Sequence, residues 1–439
     1  MVDNFSSLES EVKCYCRSFP NEFERAKYSK LFAKDGREYI DFFSGAGVMN
    51  YGHNNPKVQN ALIDYLKADG IVHSLDMATV SKRKFIEAFY NFILAPRGMD
   101  YKLVFTSPSG AAAVEAAILL ARKIKNRQNI IAFSGSYHGL TSGALALTAN
   151  PFYKNGYKST DCGVNFFPYD GYLGAGVDTL PFLEKMIVGL DSGLEKPAAI
   201  ILETIQGEGG VNVSQESWLQ KIQRLCNEHD ILLIIDDIQV GNGRTGSFFS
   251  FERADLSPDI IVLSKAIGGG LPMAMNLIKP ALDQWKPCEH TGTFRGNNLA
   301  FVAGAAVLEN YWKDDQLKAI VLEHSRLIGS ILNKICHVYP ECVTEYRGLG
   351  MIWGLQFKNA SLARSITRAA FNQGLLLETC GINRDTVKIM PPLVIERDLL
   401  EEGMALLFCA IEEVKSKTDA FDSDSAKEIG LSAYDNKNT

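Results

Sequence analysis

The order of apolar and polar positions divides the chain into stretches of different texture. From about residue 100 to 265, short β-rich runs alternate with longer stretches of helical period, the pattern of a mostly parallel sheet covered by helices. The runs predict strands at Lys102–Thr106, Asn129–Phe133, Ala198–Glu203, Ile231–Asp236 and Asp259–Leu263, with helices at Ala111–Lys125 and Glu216–His229. Ile231–Asp236 and Asp259–Leu263 are almost wholly apolar and lack two-residue alternation, as a strand buried on both faces should. After about residue 310 the texture changes. A helical region, Leu317–Val338, leads into the strand-like pieces MIWGLQF and TVKIMPP and a last apolar helix near Leu399–Val414. Residues 417–439 are polar with few large apolar groups, which predicts a mobile tail. The pattern as a whole predicts an α/β fold in four parts: an N-terminal segment (1–55), a large sheet-based domain (56–310), a smaller C-terminal α+β domain (311–416) and the tail.

Length and composition narrow the function without naming it. A chain of 439 residues is long enough for more than one domain around a large buried sheet. A net charge of -6 leaves no basic footprint and argues against nucleic acid as partner. The first residues hold no apolar run long enough for a signal peptide, and no later segment approaches about 18 uninterrupted apolar residues. The expectation is a cytoplasmic protein with no membrane partner. Nine cysteines are scattered along the chain; only Cys14 and Cys16 lie close, in a C-x-C without a second ligand pair, so free thiols rather than a metal site are expected.

The candidate chemistry clusters at strand ends. Ser264-Lys265 closes the run DIIVL and precedes Ala-Ile-Gly-Gly-Gly. A lysine at the carboxyl end of a strand is poorly placed for packing and well placed to reach a ligand. Asp236 and Asp237 emerge from the apolar run ILLII, where a buried carboxylate needs a partner. A protonated pyridine nitrogen would be one; alternation puts the two on opposite sides, so one of them can serve, with Gln239 within reach of the same ring. A metal-binding or helix-capping pair is the other reading. The turn SPSG, with Ser109 and Gly110, stands directly before an Ala-rich helix beginning Ala111-Ala112, a suitable anion cradle. Tyr137 and His138, in SGSYHG, offer rings that can stack on a flat ligand.

These strings together resemble the class III, fold type I, pyridoxal-phosphate (PLP) aminotransferases over roughly residues 10–415. Gly110, Tyr137-His138-Gly139, ETIQGEGG (Glu203–Gly210), DDIQVGNGRTG, Ser264-Lys265 and TFRGN (Thr293–Asn297) stand in the order of that family's blocks. DDIQVGNGRTGSFFSFE, LDQWKP, GTFRGNNLAFV and DGIVHSLDM are most similar to its diaminobutyrate–2-oxoglutarate transaminase group. The resemblance implies the cofactor pyridoxal 5'-phosphate, small amino-acid and oxo-acid substrates, and a homodimer with shared sites. It implies Lys265 as the lysine that bonds the cofactor and then moves the proton, Asp236 on the ring nitrogen, Gln239 near the ring hydroxyl, and Tyr137 on the ring face. Ser109, Gly110 and Ala111 would hold the phosphate, with Thr293 reaching that of the neighbouring subunit. Glu208 would be a gate carboxylate and Lys388 a contact for a substrate carboxylate. Two positions depart from the family: Ala111 where a hydroxyl is usual, and Lys388 where ornithine-type relatives carry arginine. An aminotransferase for ornithine, 4-aminobutyrate or another diamine, and a catalytically idle PLP-binding regulator, stay as alternatives.

Overall fold

The structure, a computed structural model, describes residues 8–156 and 163–428. Its centre is a seven-stranded sheet of β1 (Lys102–Phe105), β2 (Ile130–Phe133), β3 (Val164–Phe167), β4 (Ala199–Leu202), β5 (Leu232–Asp236), β6 (Ile260–Leu263) and β7 (Met275–Ile278), in the order β1-β7-β6-β5-β4-β2-β3. Only β7 runs against its neighbours, β6 and β1. The five predicted strands are all present, β1, β2, β4, β5 and β6 among them shifted by a residue at most at each end. Strands β3 and β7 were not predicted: VNFF is too short to show a period, and β7 sits in a glycine- and proline-bounded stretch.

Alternate residues of the sheet feed two separate cores. Ile131, Ile200, Leu233, Ile235 and Ile261 join one buried cluster, while Ile130, Ile201, Leu232, Ile234 and Ile260 join the other. The helix Glu216–Glu228 covers the first face with Trp218, Leu219 and Ile222; the helix Gly110–Lys125 covers the second with Ala113, Val114, Ala117 and Leu120. Burial on both faces is why β5 and β6 carry no polar alternation. Each fully buried Leu or Ile contributes about 1.5–3 kcal/mol, so the register that fills both cores is strongly specified.

A second, antiparallel sheet lies in the C-terminal part, in the order Val343–Leu349, Ile352–Phe357, Thr386–Ile389, Glu378–Cys380. A third joins the two ends of the chain: Phe23–Lys27, Lys30–Ala33 and Glu38–Asp41 are completed by Leu375–Leu376, which pairs with Ile40 and Asp41 in parallel. The last helix runs from Arg397 to Glu428, past the predicted end near Val414. Its final stretch lacks the apolar stripe that marks a packed helix but holds no Gly or Pro to stop one, so residues 417–428 are helical where a tail was expected. Residues 429–439 lie outside the described residues. No helix among the described residues is long and apolar enough to cross a membrane.

Candidate active site

Parallel strands deliver their carboxyl ends to one edge, and the candidate residues emerge there. Ser107–Gly110 follows β1, Ser134–His138 follows β2, Glu203 follows β4, Asp236 ends β5 and Lys265 follows β6. Register places Asp236 beside Val262, three residues before Lys265. Strand alternation separates the aspartates. Asp236 turns to the side of Leu232 and Ile234, where the helix Gly110–Lys125 begins, and Asp237 turns to the other, where it accepts from the Ser250 N–H at 3.1 Å. Burial, with Asp236 adding to it, pushes Asp237 up to about 7. It is a structural carboxyl.

Lys265 sits at φ 53°, in the left-handed region that a non-glycine residue enters at a cost. That backbone bends the chain as the strand ends, and no hydrogen bond or ion pair engages the Lys265 ammonium among the described residues. Burial depresses its pKa, although the Glu208 charge pulls the other way. Asp236 is buried; its Oδ2 lies 2.7 Å from His138 Nδ1 and its Oδ1 accepts from the Ile238 N–H at 3.2 Å. Burial disfavours the His138 cation, but the bond to Asp236 outweighs it and raises the pKa. His138 thus presents its ring edge to Asp236, while its Nε2 is buried without a partner. Sequence reading offered His138 as a stacking ring; the structure makes it the support of the aspartate. Tyr137 is half-buried and its N–H donates to Glu203 at 3.0 Å.

At the anion end, Ser109 caps the helix Gly110–Lys125, its Oγ accepting from Ala112 N at 3.2 Å. The N–H groups of Gly110 and Ala111 make no bond among the described residues. Thr293 is exposed, with its carbonyl 2.9 Å from His73 Nε2. The adjacent Gly292 passes the same chain's Ser107, whose Oγ lies 3.0 Å from where a Cβ would stand.

Glu208 and Lys388 meet, but in a form the sequence did not show. Lys388 is fully buried and bonds Glu208 Oε1 at 2.5 Å; a second carboxylate, Glu378, lies 2.8 Å from the same ammonium. Glu378 stands directly across the antiparallel pair from Lys388, a cross-strand ion pair. Burial works against the Glu208 anion, yet the Lys388 charge holds it down at about 2. Burial opposes the Lys388 cation too, and the two carboxylates raise it well above the lysine range. Lys388 therefore offers no unengaged charge to a substrate, in place of the direct carboxylate contact expected of it. Gln239 joins this group: its Nε2 donates to Glu208 Oε1 and to the Ala46 carbonyl, both at 3.2 Å, and its Oε1 is buried without a partner.

Tyr137 and Glu208 line a cleft of about 760 Å³ together with Tyr153, Arg347 and Arg384. Sequence reading missed Tyr153, Arg347, Glu378 and Arg384. A charge inside an apolar run, as in LLLETC and TVKIM, was the available signal for Glu378; the arginines carried none.

The donor set fits pyridoxal phosphate. Two unbonded N–H groups at the start of a 16-residue helix suit a phosphate. Asp236, fixed by His138, suits a protonated ring nitrogen, the Gln239 Oε1 is left without a partner to meet a donor, and Lys265 is an uncommitted amine. Known proteins agree. Residues 16–411 match the family model described as aminotransferase class-III. The chain is 49% identical over 416 residues, 95% of its length and 97% of the relative's, to a protein of Wolinella succinogenes named diaminobutyrate–2-oxoglutarate transaminase. It is 51% identical to an uncharacterised aminotransferase of Sinorhizobium fredii, over 92% of this chain and 90% of that one. A solved transaminase from the marine bacterium Virgibacillus superposes with a TM-score of 0.85 at 20% identity, covering 94% of this chain and 98% of that one, which shows the same fold. The chain belongs to the class-III aminotransferases, and its cofactor is pyridoxal 5'-phosphate.

Proposed function

We propose that the chain moves an amino group between L-glutamate/2-oxoglutarate and L-aspartate 4-semialdehyde/L-2,4-diaminobutyrate in a ping-pong cycle. The observation that carries the substrate assignment is the likeness, across nearly both whole chains, to the Wolinella succinogenes protein of that name. When bound, the cofactor supplies an electron sink. The chain's residues do the rest. Lys265, uncommitted and with its pKa depressed by burial, bonds the cofactor and carries the proton to and from the substrate carbon. Asp236 keeps the ring nitrogen charged, and the His138 contact holds Asp236 in place. Gly110 and Ala111 N–H groups would hold the phosphate, with Ser109 capping their helix, Tyr137 would supply a ring face and Gln239 an acceptor for the ring hydroxyl. Glu208, held on Lys388, forms the polar wall that both an amino acid and a dicarboxylate must pass.

We further propose a cytoplasmic homodimer in which Thr293 serves the partner's phosphate site. Ile71, Val72, Met77, Val80 and Phe294 are each more than half exposed, and His73 links their segment to Thr293, which fits a face covered by a second copy. Cys14, Cys16, Cys226, Cys288, Cys336, Cys380 and Cys409 are free thiols, in keeping with a reducing compartment. A panel of amine donors with 2-oxoglutarate tests the substrate. L-2,4-diaminobutyrate should exceed ornithine and 4-aminobutyrate by about tenfold or more in kcat/KM, the discrimination of roughly 1.4 kcal/mol that a few contacts provide. If either competitor is turned over faster, the substrate assignment is wrong.

A further inference from the structure

We propose that Arg384, in the lining of the cleft, is the residue that binds a substrate carboxylate. The inference rests on the reading above only in taking the substrates to be carboxylic acids. Such substrates need a cation in the cleft, and the described residues leave few choices. Lys388 is enclosed and held by Glu208 and Glu378. Arg347 Nη1 bonds Glu345 at 2.9 Å and Gln356 Oε1 at 2.8 Å, so a carboxylate already answers its charge. Arg384 is half-buried in the lining and makes only neutral bonds among the described residues: Nη1 to the Thr379 carbonyl at 3.0 Å and Nη2 to Tyr153 Oη at 3.1 Å.

Two further observations point the guanidinium at a ligand. Arg384 sits at φ 56° in the turn between the strands Glu378–Cys380 and Thr386–Ile389, so the antiparallel pair that carries Lys388 also presents Arg384. From there, contacts lead back to the cofactor end. The Tyr153 ring lies edge-on to Tyr137 at 5.5 Å, so one continuous wall runs from the ring-stacking tyrosine to the guanidinium. A half-buried guanidinium without a counter-ion is costly unless an anion completes it. A planar fork of donors is the geometry that takes a carboxylate in two parallel bonds. Glu208 and Glu378 act on Arg384 through space, but both are ion-paired with Lys388. Tyr153 is then a positioning residue that fixes the guanidinium from the side.

The test is equilibrium binding of glutarate, a dicarboxylate that cannot react, to holoenzyme by calorimetry. Arg384→Gln should weaken glutarate by about 10- to 100-fold, the span of a lost charge-assisted bond. Arg384→Lys should recover part of the loss, and Arg347→Gln should change it less than Arg384→Gln. The dissociation constant of pyridoxal phosphate, read from absorbance, should stay within about twofold in the Arg384 variants, because no cofactor contact is removed. Glutarate binding unchanged in Arg384→Gln would overturn the proposal. So would a larger loss in Arg347→Gln, or glutarate and cofactor binding failing together in both Arg384 variants. Because glutarate stands in for any dicarboxylate, a donor panel favouring another amine would sink the diaminobutyrate assignment and leave this result standing.

Discussion

Two lysines of the candidate site, Lys265 half-buried and Lys388 fully buried, are treated in opposite ways. Lys265, at the cofactor end, has no bonded partner and a pKa pushed down; Lys388, on the far wall, has two carboxylates and a pKa pushed up. Burial acts on both in the same direction, against the cation. The difference lies wholly in what the fold places beside each. An ammonium left without a counter-ion at the end of a parallel strand is ready to lose its proton and form a bond. An ammonium flanked by two anions is locked as a charge and serves the wall. The lysine proposed for the chemistry is the one the structure leaves unsatisfied.

The contrast can be broken most sharply by removing each lysine. Lys265→Ala should abolish the borohydride-trapped adduct and lower turnover by roughly 10⁴-fold, since nucleophile and base are lost together. A trapped adduct of normal yield in that variant would refute the assignment of Lys265. Stability should respond the other way round. Lys388→Met strands Glu208 and Glu378 as buried anions and should cost about 3–5 kcal/mol in denaturant unfolding. Lys265→Met in cofactor-free protein removes an unpaired, half-buried charge, so its cost should be below about 1 kcal/mol, or negative. Equal destabilisation by the two would mean that Lys265 has a structural partner after all.

The same division marks how far the sequence could be read. The cofactor end was legible because its residues follow apolar runs: a strand buried on both faces announces where it stops, and Asp236 and Lys265 are the first charges after β5 and β6. The far wall was not. Lys388 and Glu378 lie in short strands whose pairing is set by the register of a sheet assembled from distant segments, so nothing local says that they face each other. Arg384 occupies a turn, where any polar residue is unremarked. The third sheet was hidden for a similar reason: FERAK is a short, polar-rich edge and KLFA only four residues long, and both are stabilised by a sheet completed with Glu38–Asp41 and Leu375–Leu376. The end of the last helix escaped notice because its sequence carries no apolar stripe, and a run without Gly or Pro can stay helical without one.

Between the two ends lies Glu203, which sharpens the comparison through pH. Burial pushes its carboxyl up to about 8 against the pull of His138, with the charge of Asp236 pushing further. The folded chain therefore keeps a proton that the unfolded chain, with the ordinary carboxyl value of 4.5, gives up. The contribution of Glu203 to stability is complete below pH 4.5 and lost as pH rises toward 8. The slope is at most about 1.4 kcal/mol per pH unit. Glu203→Gln keeps an acceptor for the Tyr137 N–H and has no proton to lose, so its stability relative to the parent should rise across that range. Curves that run parallel from pH 5 to pH 8 would show that Glu203 is already ionised in the folded state.

The smallest effect concerns the phosphate cradle. Ala111 stands where the family usually has a hydroxyl, and Ser109 does not replace it, because its Oγ is used on Ala112 N as the helix cap. Ala111→Ser should therefore add a bond to the phosphate, worth about 1 kcal/mol, and tighten pyridoxal phosphate roughly fivefold. Space decides whether the gain is realised. Gly139 packs on this position so closely that a Cβ there would fall 2.6 Å from the Ala111 Cβ. The new Oγ consequently has to take the rotamer that points away from Gly139, which is favourable only if that direction is the phosphate's. Cofactor titration of the variant reads this directly. A tighter constant places the phosphate beside residue 111; a weaker one places Gly139 in the way and leaves the Gly110 and Ala111 N–H groups as the cradle.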